Sequence, residues 1–394
     1  MYSNKENVNI LTSLLVAHGV RHAVVCPGSR NAAIVHNLNE CEDITCYPVT
    51  DERSAGFQAL GLSMAEGYQP VVVCVTSGSA LLNLYPAVAE AYYQQIPLIV
   101  ISADRPAQWI NQLDGQTLPQ PDALGQMVRK AVSLPEVSWL DNFGWHNHWE
   151  DYRKLWMDAL AKSYERKENF KPEFSSLATV KEFFSQLQKV EPQDFKEFTL
   201  GDKDAQDYGI YDSKLDTFLP GMMSSVFSGN SSAIRLMNQY ADRHVYCNRG
   251  VNGIEGSLST AVGFSMCKNG ADKHVYCVLG DLSFFYDQNA LWNRNMNGKL
   301  RIIVLNNGGG AIFGKFQGLK ESQAREEMVM AKHHATAEGI CSQNDVKYLA
   351  AHTMEEMEQG ISQLIHAESE RPMLLEIFTD MDVDNEMLEA IQKC

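Results

Sequence analysis

Residues 273–307 read KHVYCVLGDLSFFYDQNALWNRNMNGKLRIIVLNN. KHVYCVLG (273–280) and LRIIVLN (300–306) are short, nearly continuous apolar runs, the pattern of parallel strands buried on both faces. The first run closes on Gly280-Asp281 and the second on Asn306-Asn307. In a parallel sheet both ends fall on one carboxyl edge, where open α/β sheets bind ligands. Either dipeptide alone is an ordinary turn former at a strand end. Together they bring a carboxylate and an amide oxygen, hard donors suited to Mg²⁺, to neighbouring strand ends. Glycines 308–310 allow a backbone carbonyl to turn inward beside them, and a helix starting at Ser283 offers N–H groups to a phosphate.

The same alternation extends in both directions. HVYCN (244–248) and MLLEIF (373–378) are strand-like in the second half; HAVVC (22–26), PVVVCVT (70–76) and PLIVIS (97–102) are strand-like in the first. Val8, Leu11, Leu14 and Leu15 have helical spacing with Gly19 as the stop, residues 53–66 are helical in pattern, and a helix runs on to residue 94. Strands alternating with helices predict an α/β fold with two parallel-sheet domains, 1–137 and 221–394. Between them, residues 138–220 change character. Residues 145–190 have the pattern of amphipathic helices, and residues 191–220 carry eight acidic residues with no clear period, a connecting stretch.

Composition narrows the functional classes. The chain has 394 residues, 45% hydrophobic and 21% charged, with a formal net charge of −16. That charge disfavours nucleic acid and anionic membranes as partners. Nine cysteines form no CxxC pair, and Cys74, Cys247 and Cys277 fall in apolar strand-like runs, which reads as reduced thiols in a cytoplasmic protein. The N-terminal MYSNKENVNILTSLL has neither the basic start nor the long apolar run of a signal peptide, and no stretch reaches membrane-span length.

Gly-Asp, about twenty-five residues and then Asn-Asn resembles the cofactor motif of the thiamine-diphosphate-dependent enzymes. Further segments are similar, more narrowly, to the menaquinone-pathway synthases that join 2-oxoglutarate to isochorismate. They are CPGSRNAA (26–33), TSGSALLNLYPAVAEA (76–91), ADRP (103–106), GNSSAIR (229–235), NRGVNGIEGSLSTAVG (248–263) and NGGGAIF (307–313). Leu282 stands where most of the superfamily has a third glycine, and GDLS fits this subfamily.

The resemblance implies a pyrimidine-binding domain in the first block, a diphosphate-binding domain in the second, and thiamine diphosphate with Mg²⁺ or Mn²⁺ as cofactors. It makes the Asp281 and Asn307 side chains and the Gly309 carbonyl the metal ligands. Gly280, Leu282, Ser283 and Ser231 hold the diphosphate; Ile254 props the cofactor into its bent shape; Ile312 and Phe313 line the wall of the site. TDERSAGFQALGLSMAEG (50–67) resembles the segment that presents the activating glutamate, which makes Glu52 the carboxyl that hydrogen-bonds the aminopyrimidine ring. By itself, Glu52 is equally an ordinary acid at a helix start. Both family substrates are dianions, which require Arg forks. Arg30, Arg105, Arg235 and Arg249 sit in matched segments, with Ser29 and Gln116 as neutral donors. One such Arg is ordinarily a surface ion pair; four in matched loops read as an anion pocket.

The product implied is 2-succinyl-5-enolpyruvyl-6-hydroxy-3-cyclohexene-1-carboxylate. In this superfamily the cofactor lies between two such domains of different subunits, so a homodimer or homotetramer is implied. The family also carries a middle α/β domain that residues 138–220 are too short to hold. A simpler 2-oxoacid decarboxylase or carboligase, or a cofactor-binding protein without turnover, therefore stay open as alternatives.

Overall fold

A computed structural model describes residues 3, 5–112, 115–134, 224–237, 240–241, 243–267, 274–315 and 323–385. The chain forms two compact units, Met1–Lys167 with Trp292–Asn295, and Glu168–Leu291 with Met296–Cys394. The expected domain boundaries, the helical pattern of 145–190 and the acidic stretch 191–220 lie outside the described residues.

In the first unit, β1 (His22–Val25), β2 (Thr45–Pro48), β3 (Val71–Val75) and β4 (Leu98–Ser102) form a parallel sheet in the order β2-β1-β3-β4. β3 lies inside the sheet, and all five of its residues are buried. Helix α1 (Glu6–Ala17) ends in a Schellman turn: Gly19 has φ +79, its amide donates to Val16 O, and the Val20 amide donates to Leu15 O. α2 (Ala32–Glu40) follows β1, and α3 (Glu52–Ala65) follows β2. The Asp51 carboxylate caps α3 by accepting the Ser54 amide at 2.8 Å, and α3 is buried from Ser54 to Met64. The helix expected to reach residue 94 is broken at Leu84 into α4 (Ser79–Asn83) and α5 (Tyr85–Gln94). Pro86 is the reason: it has no N–H for a preceding carbonyl and fits only the first turn of a helix.

The second unit holds β5 (Ser225–Ser228), β6 (Val245–Cys247), β7 (Val275–Gly280), β8 (Leu300–Asn306), β9 (Lys347–Ala351) and β10 (Met373–Phe378). All are parallel, in the order β6-β5-β7-β8-β10-β9. The helices are α6 (Ser232–Met237), α7 (Ser257–Met266), α8 (Asp281–Tyr286), α9 (Glu338–Gln343) and α10 (Met354–His366). Every residue of β8 is buried, as its continuous apolar run requires. One face of the sheet packs Val226, Tyr276, Ile303, Leu305, Leu375 and Ile377 against Ile361, Leu364 and Ile365 of α10. A capping box starts α10, with Thr353 and Glu356 satisfying each other's backbone amides. β5 and β9 are additions to the strands expected from sequence. β9 is an edge strand whose residues are mostly half-buried, so it lacks the apolar continuity that marks β7 and β8.

Both strand orders have a switch point, a pair of neighbours from which the chain leaves in opposite directions. It lies between β1 and β3 in the first unit and between β5 and β7 in the second. The crevice outside the carboxyl ends of such a pair is where open α/β sheets take ligands.

Candidate active site

The switch point of the second unit is built from the loops after β5 and β7. Gly229 lets them meet: a Cβ there would lie 2.8 Å from Leu279 Cβ and 3.8 Å from Ser283 Oγ. Gly280 closes β7, and Asp281 opens α8 instead of preceding it. Asp281 is 3% exposed. Its Oδ1 accepts the Leu282 amide at 2.6 Å and its Oδ2 accepts the Gly309 amide at 2.9 Å. The Leu282 amide, expected to face a phosphate, is thus turned to Asp281. His333 Nε2 lies 3.3 Å from Asp281 Oδ2. His333 Nδ1 accepts the Ala335 amide at 3.1 Å, while Nε2 is buried without a hydrogen-bond partner. Burial raises the Asp281 carboxyl above its ordinary range, opposed by the Leu282 amide, the His333 ring and the Gly309 amide.

The turn after β8 completes this cluster. Gly308 has φ +78 and Gly309 φ +154, backbone that side-chain-bearing residues rarely adopt. A Cβ on Gly309 would also lie 2.7 Å from Met330 O. Asn307 Nδ2 donates to Asp384 Oδ2 at 2.8 Å, while Asn307 Oδ1 is buried with no hydrogen-bond partner. That buried acceptor, on the turn that Asp281 grips, has a lone pair available to a ligand. With the Asp281 carboxylate and the Gly309 carbonyl it makes a set of hard oxygen donors that fits Mg²⁺ or Mn²⁺. Asn306 is turned away: its Nδ2 donates to Glu376 Oε1 at 2.7 Å and to Ala335 O at 3.0 Å.

The remaining second-unit candidates surround this turn or sit on nearby loops. Ser283 is buried, and Leu282 and Ile312 are half-buried. Ser231 is half-buried at φ +69, a conformation costly for a serine and consistent with a functional loop. Ile254 is 37% and Phe313 40% exposed, uncovered for large apolar residues. Arg235 is exposed on α6. Arg249 is half-buried, with Nη1 donating to Asn230 Oδ1 at 3.3 Å. Asn230, which sequence reasoning missed as a separate contributor, also donates to Asn248 O and Gly253 O, both at 2.6 Å. It ties together the loops after β5 and β6.

In the first unit Glu52 stands at the first position of α3, half-buried, and its Oε2 accepts Asn83 Nδ2 at 3.2 Å. Ser29 and Arg30 are exposed on the loop after β1, where the Arg30 guanidinium lies 5.4 Å from the Trp109 ring centroid. The loops after β1 and β3 touch, since a Cβ on Gly28 would lie 2.4 Å from Thr76 Cβ. Arg105 is half-buried after β4. Gln116 is exposed at φ +56, and its carbonyl accepts Ser77 Oγ at 3.1 Å. Gln120, another residue missed, accepts the Gly78 amide at 2.7 Å and donates to Ala103 O at 2.9 Å, which joins the loops after β3 and β4. The structure therefore brings Asp281, Asn307 and Gly309 together in one unit and presents Glu52 on the other.

Comparison with known proteins agrees with this geometry. Residues 6–126 match the family described as thiamine pyrophosphate enzyme, N-terminal TPP binding domain, and residues 228–377 its C-terminal TPP binding domain. A 2-succinyl-5-enolpyruvyl-6-hydroxy-3-cyclohexene-1-carboxylate synthase from Phocaeicola vulgatus is 34% identical, with 98% of each chain covered. Its counterpart from Bacteroides thetaiotaomicron is 32% identical, covering 99% of this chain and 98% of that one. The first alignment runs over 549 positions, more than the 394 residues present here, so this chain is opposite gaps for at least 155 of them. Among solved structures, benzoylformate decarboxylase from Polynucleobacter necessarius matches at TM-score 0.67 and 13% identity, covering 97% of this chain and 99% of that one. That likeness establishes the fold alone. The chain belongs to the thiamine pyrophosphate enzyme family and, within it, to the 2-succinyl-5-enolpyruvyl-6-hydroxy-3-cyclohexene-1-carboxylate synthases.

Proposed function

We propose that the chain decarboxylates 2-oxoglutarate and adds the resulting succinyl unit to isochorismate, the reaction named by its relatives, in menaquinone biosynthesis. Residues 1–137 act as the pyrimidine-binding domain, 221–394 as the diphosphate-binding domain, and 138–220 as a shortened connection. The observation that carries the cofactor chemistry is the buried, unpartnered Asn307 Oδ1 on the turn held by Asp281. Asp281, Asn307 and the Gly309 carbonyl would hold Mg²⁺ or Mn²⁺, with Ser231, Gly280 and Ser283 facing the diphosphate. When bound, thiamine diphosphate supplies the stabilised carbanion that such chemistry needs.

The chain's own residues supply position and protons. Glu52 would hold a proton towards the pyrimidine, with Asn83 keeping its carboxyl in place. Arg30, Arg105, Arg235 and Arg249, with Ser29 and Gln116, would pair the substrate carboxylates. Those pairings offset the desolvation of dianions inside an acidic protein. Ile254, Ile312 and Phe313 would keep water out. Because Glu52 and the cation ligands stand on separate units, the proposal includes a homodimer or larger assembly, as in the family. Leu82, Tyr85, Tyr92 and Tyr93 support it: on α4 and α5 they are 39–54% exposed, a concentration of apolar surface of the kind that protein–protein contacts cover.

The test is a steady-state assay of the whole chain with 2-oxoglutarate, with and without isochorismate. Turnover is expected only with both substrates. Glu52→Gln is expected to lower kcat by at least about 100-fold, the scale of a lost general acid–base step, with thiamine diphosphate affinity nearly unchanged. Carbon dioxide release that ignores isochorismate would replace the synthase reading by a simple decarboxylase.

A further inference from the structure

We propose that Asp384 is a positioning residue that orients the Asn307 amide and so sets the cation affinity of the turn after β8. The inference rests on the reading of Asp281, Asn307 and Gly309 as cation ligands. Each asparagine closing β8 is held by its own buried carboxylate, one from β10 and one from the turn after it. Asn306 Nδ2 donates to Glu376, which is 0% exposed and also accepts the Ala337 amide at 2.9 Å and the Tyr348 hydroxyl at 2.7 Å. Held that way, Asn306 turns its Oδ1 back to accept the Gly308 amide at 3.1 Å, which shapes the glycine turn. Asn307 Nδ2 donates to Asp384, which is 9% exposed. A carboxylate only accepts, so it selects the NH₂ side of the amide and leaves Oδ1 on the opposite side. That oxygen is buried and unpartnered.

The local sequence brings Asp384 to this place. The Thr379 amide donates to Asn306 O at 2.9 Å, which pins the start of the turn to the end of β8. Asp380 then caps a helical turn, with Oδ1 accepting the amides of Asp382 at 2.9 Å and Val383 at 3.1 Å. The Asp384 amide donates to Asp380 O at 2.9 Å, and Thr379 Oγ1 donates to Asp384 Oδ2 at the same distance. An apolar residue would pack at a buried position without the desolvation cost of a carboxylate. The carboxylate is explained by what it does to Asn307. Partners of this kind behind a ligand hold it in one orientation, and their loss weakens metal affinity by about 10–100-fold.

The experiment titrates Mg²⁺ into the whole chain at saturating thiamine diphosphate, read by thermal shift and by calorimetry. Four proteins are compared: wild type, Asp384→Ala, Thr379→Val and Asp281→Ala. Asp384→Ala is expected to raise the Mg²⁺ midpoint about 10–100-fold. Its melting temperature without Mg²⁺ should move far less than the Mg²⁺-dependent increment. Thr379→Val removes the other bond to the same oxygen and is expected to keep the wild-type midpoint. Asp281→Ala should lose the Mg²⁺ response. A wild-type midpoint in Asp384→Ala overturns the inference, as does an equal loss in Thr379→Val, which would assign the effect to packing of the turn. A wild type with no Mg²⁺ response overturns the cation reading itself. If Asp384→Ala fails to fold, Asp384→Asn replaces it. Its amide adds a competing donor beside Asn307, so the midpoint should rise by about tenfold, and an unchanged midpoint overturns the inference.

Discussion

His244 precedes β6 with its ring edge-on to Tyr246, centroids 4.5 Å apart, and burial pushes its imidazole down to about 4. The folded value lies below that of the unfolded chain, near 6.5. The group therefore costs no stability above pH 6.5; stability falls as the pH drops from 6.5 to 4, because only the unfolded chain takes up the proton. His244→Phe should flatten that slope. Urea denaturation at pH 7 and pH 4.5 checks it: the wild type is expected to lose about 2 kcal/mol more than the variant between the two. The sequence shows only a histidine before a strand, because burial belongs to the fold. The same reason hides Asp384, Glu376, Asn230 and Gln120. Asn307 and Asp384 are 77 residues apart in sequence, and Asn306 and Glu376 are 70 apart. Asp281, Asn307 and the glycines were legible because their chemistry is concentrated at two strand ends that local pattern alone can locate.

At the scale of elements, β8 carries one feature its apolar run does not announce. Arg301, the second residue of LRIIVLN, is 0% exposed. Its guanidinium donates to Leu364 O at 3.1 Å, to Ala367 O at 3.0 Å and to Gly298 O, and lies 3.1 Å from His274 Nε2. It therefore serves the carbonyls at the C-terminal end of α10, where a cation also favours the helix dipole. Arg301→Met is expected to lower stability by about 3–5 kcal/mol, because several buried carbonyls lose their donor, and chemical denaturation measures it. Arg301→Lys should recover little, since an ammonium cannot reproduce the planar fork. β7, β8 and β10 were readable as strands because interior strands of a parallel sheet need apolar residues on both faces. β5, with only four residues, and β9, at the sheet edge, have too little of that pattern to stand out. The break between α4 and α5 was written in Pro86, but the apolar residues on either side read as one helix.

The whole molecule combines a net charge of −16 with a reaction proposed to use two dianions. Attraction over distance is therefore unfavourable, and affinity has to come from arginines close to the substrate. Assembly is the matching question at this scale. Sedimentation velocity of the wild type is expected to show a dimer or tetramer, and Leu82→Asp with Tyr85→Asp should shift it to monomer and lower turnover. A wild-type monomer with full activity would refute the assembly. At least 155 positions of that alignment have no counterpart here, and residues 6–126 and 228–377 are the parts that match the two cofactor-binding family models.

The turn that carries Asp384 has a consequence for how the protein is made. Asp281, Asn307 and the glycines all leave the ribosome before it does. A chain ending just after β10 would contain every strand of the second sheet but not the carboxylate that accepts the Asn307 amide. If Asn307 is the ligand proposed above, only a chain made through residue 384 carries the carboxylate that orients its amide, and a shorter one would hold the ion more weakly.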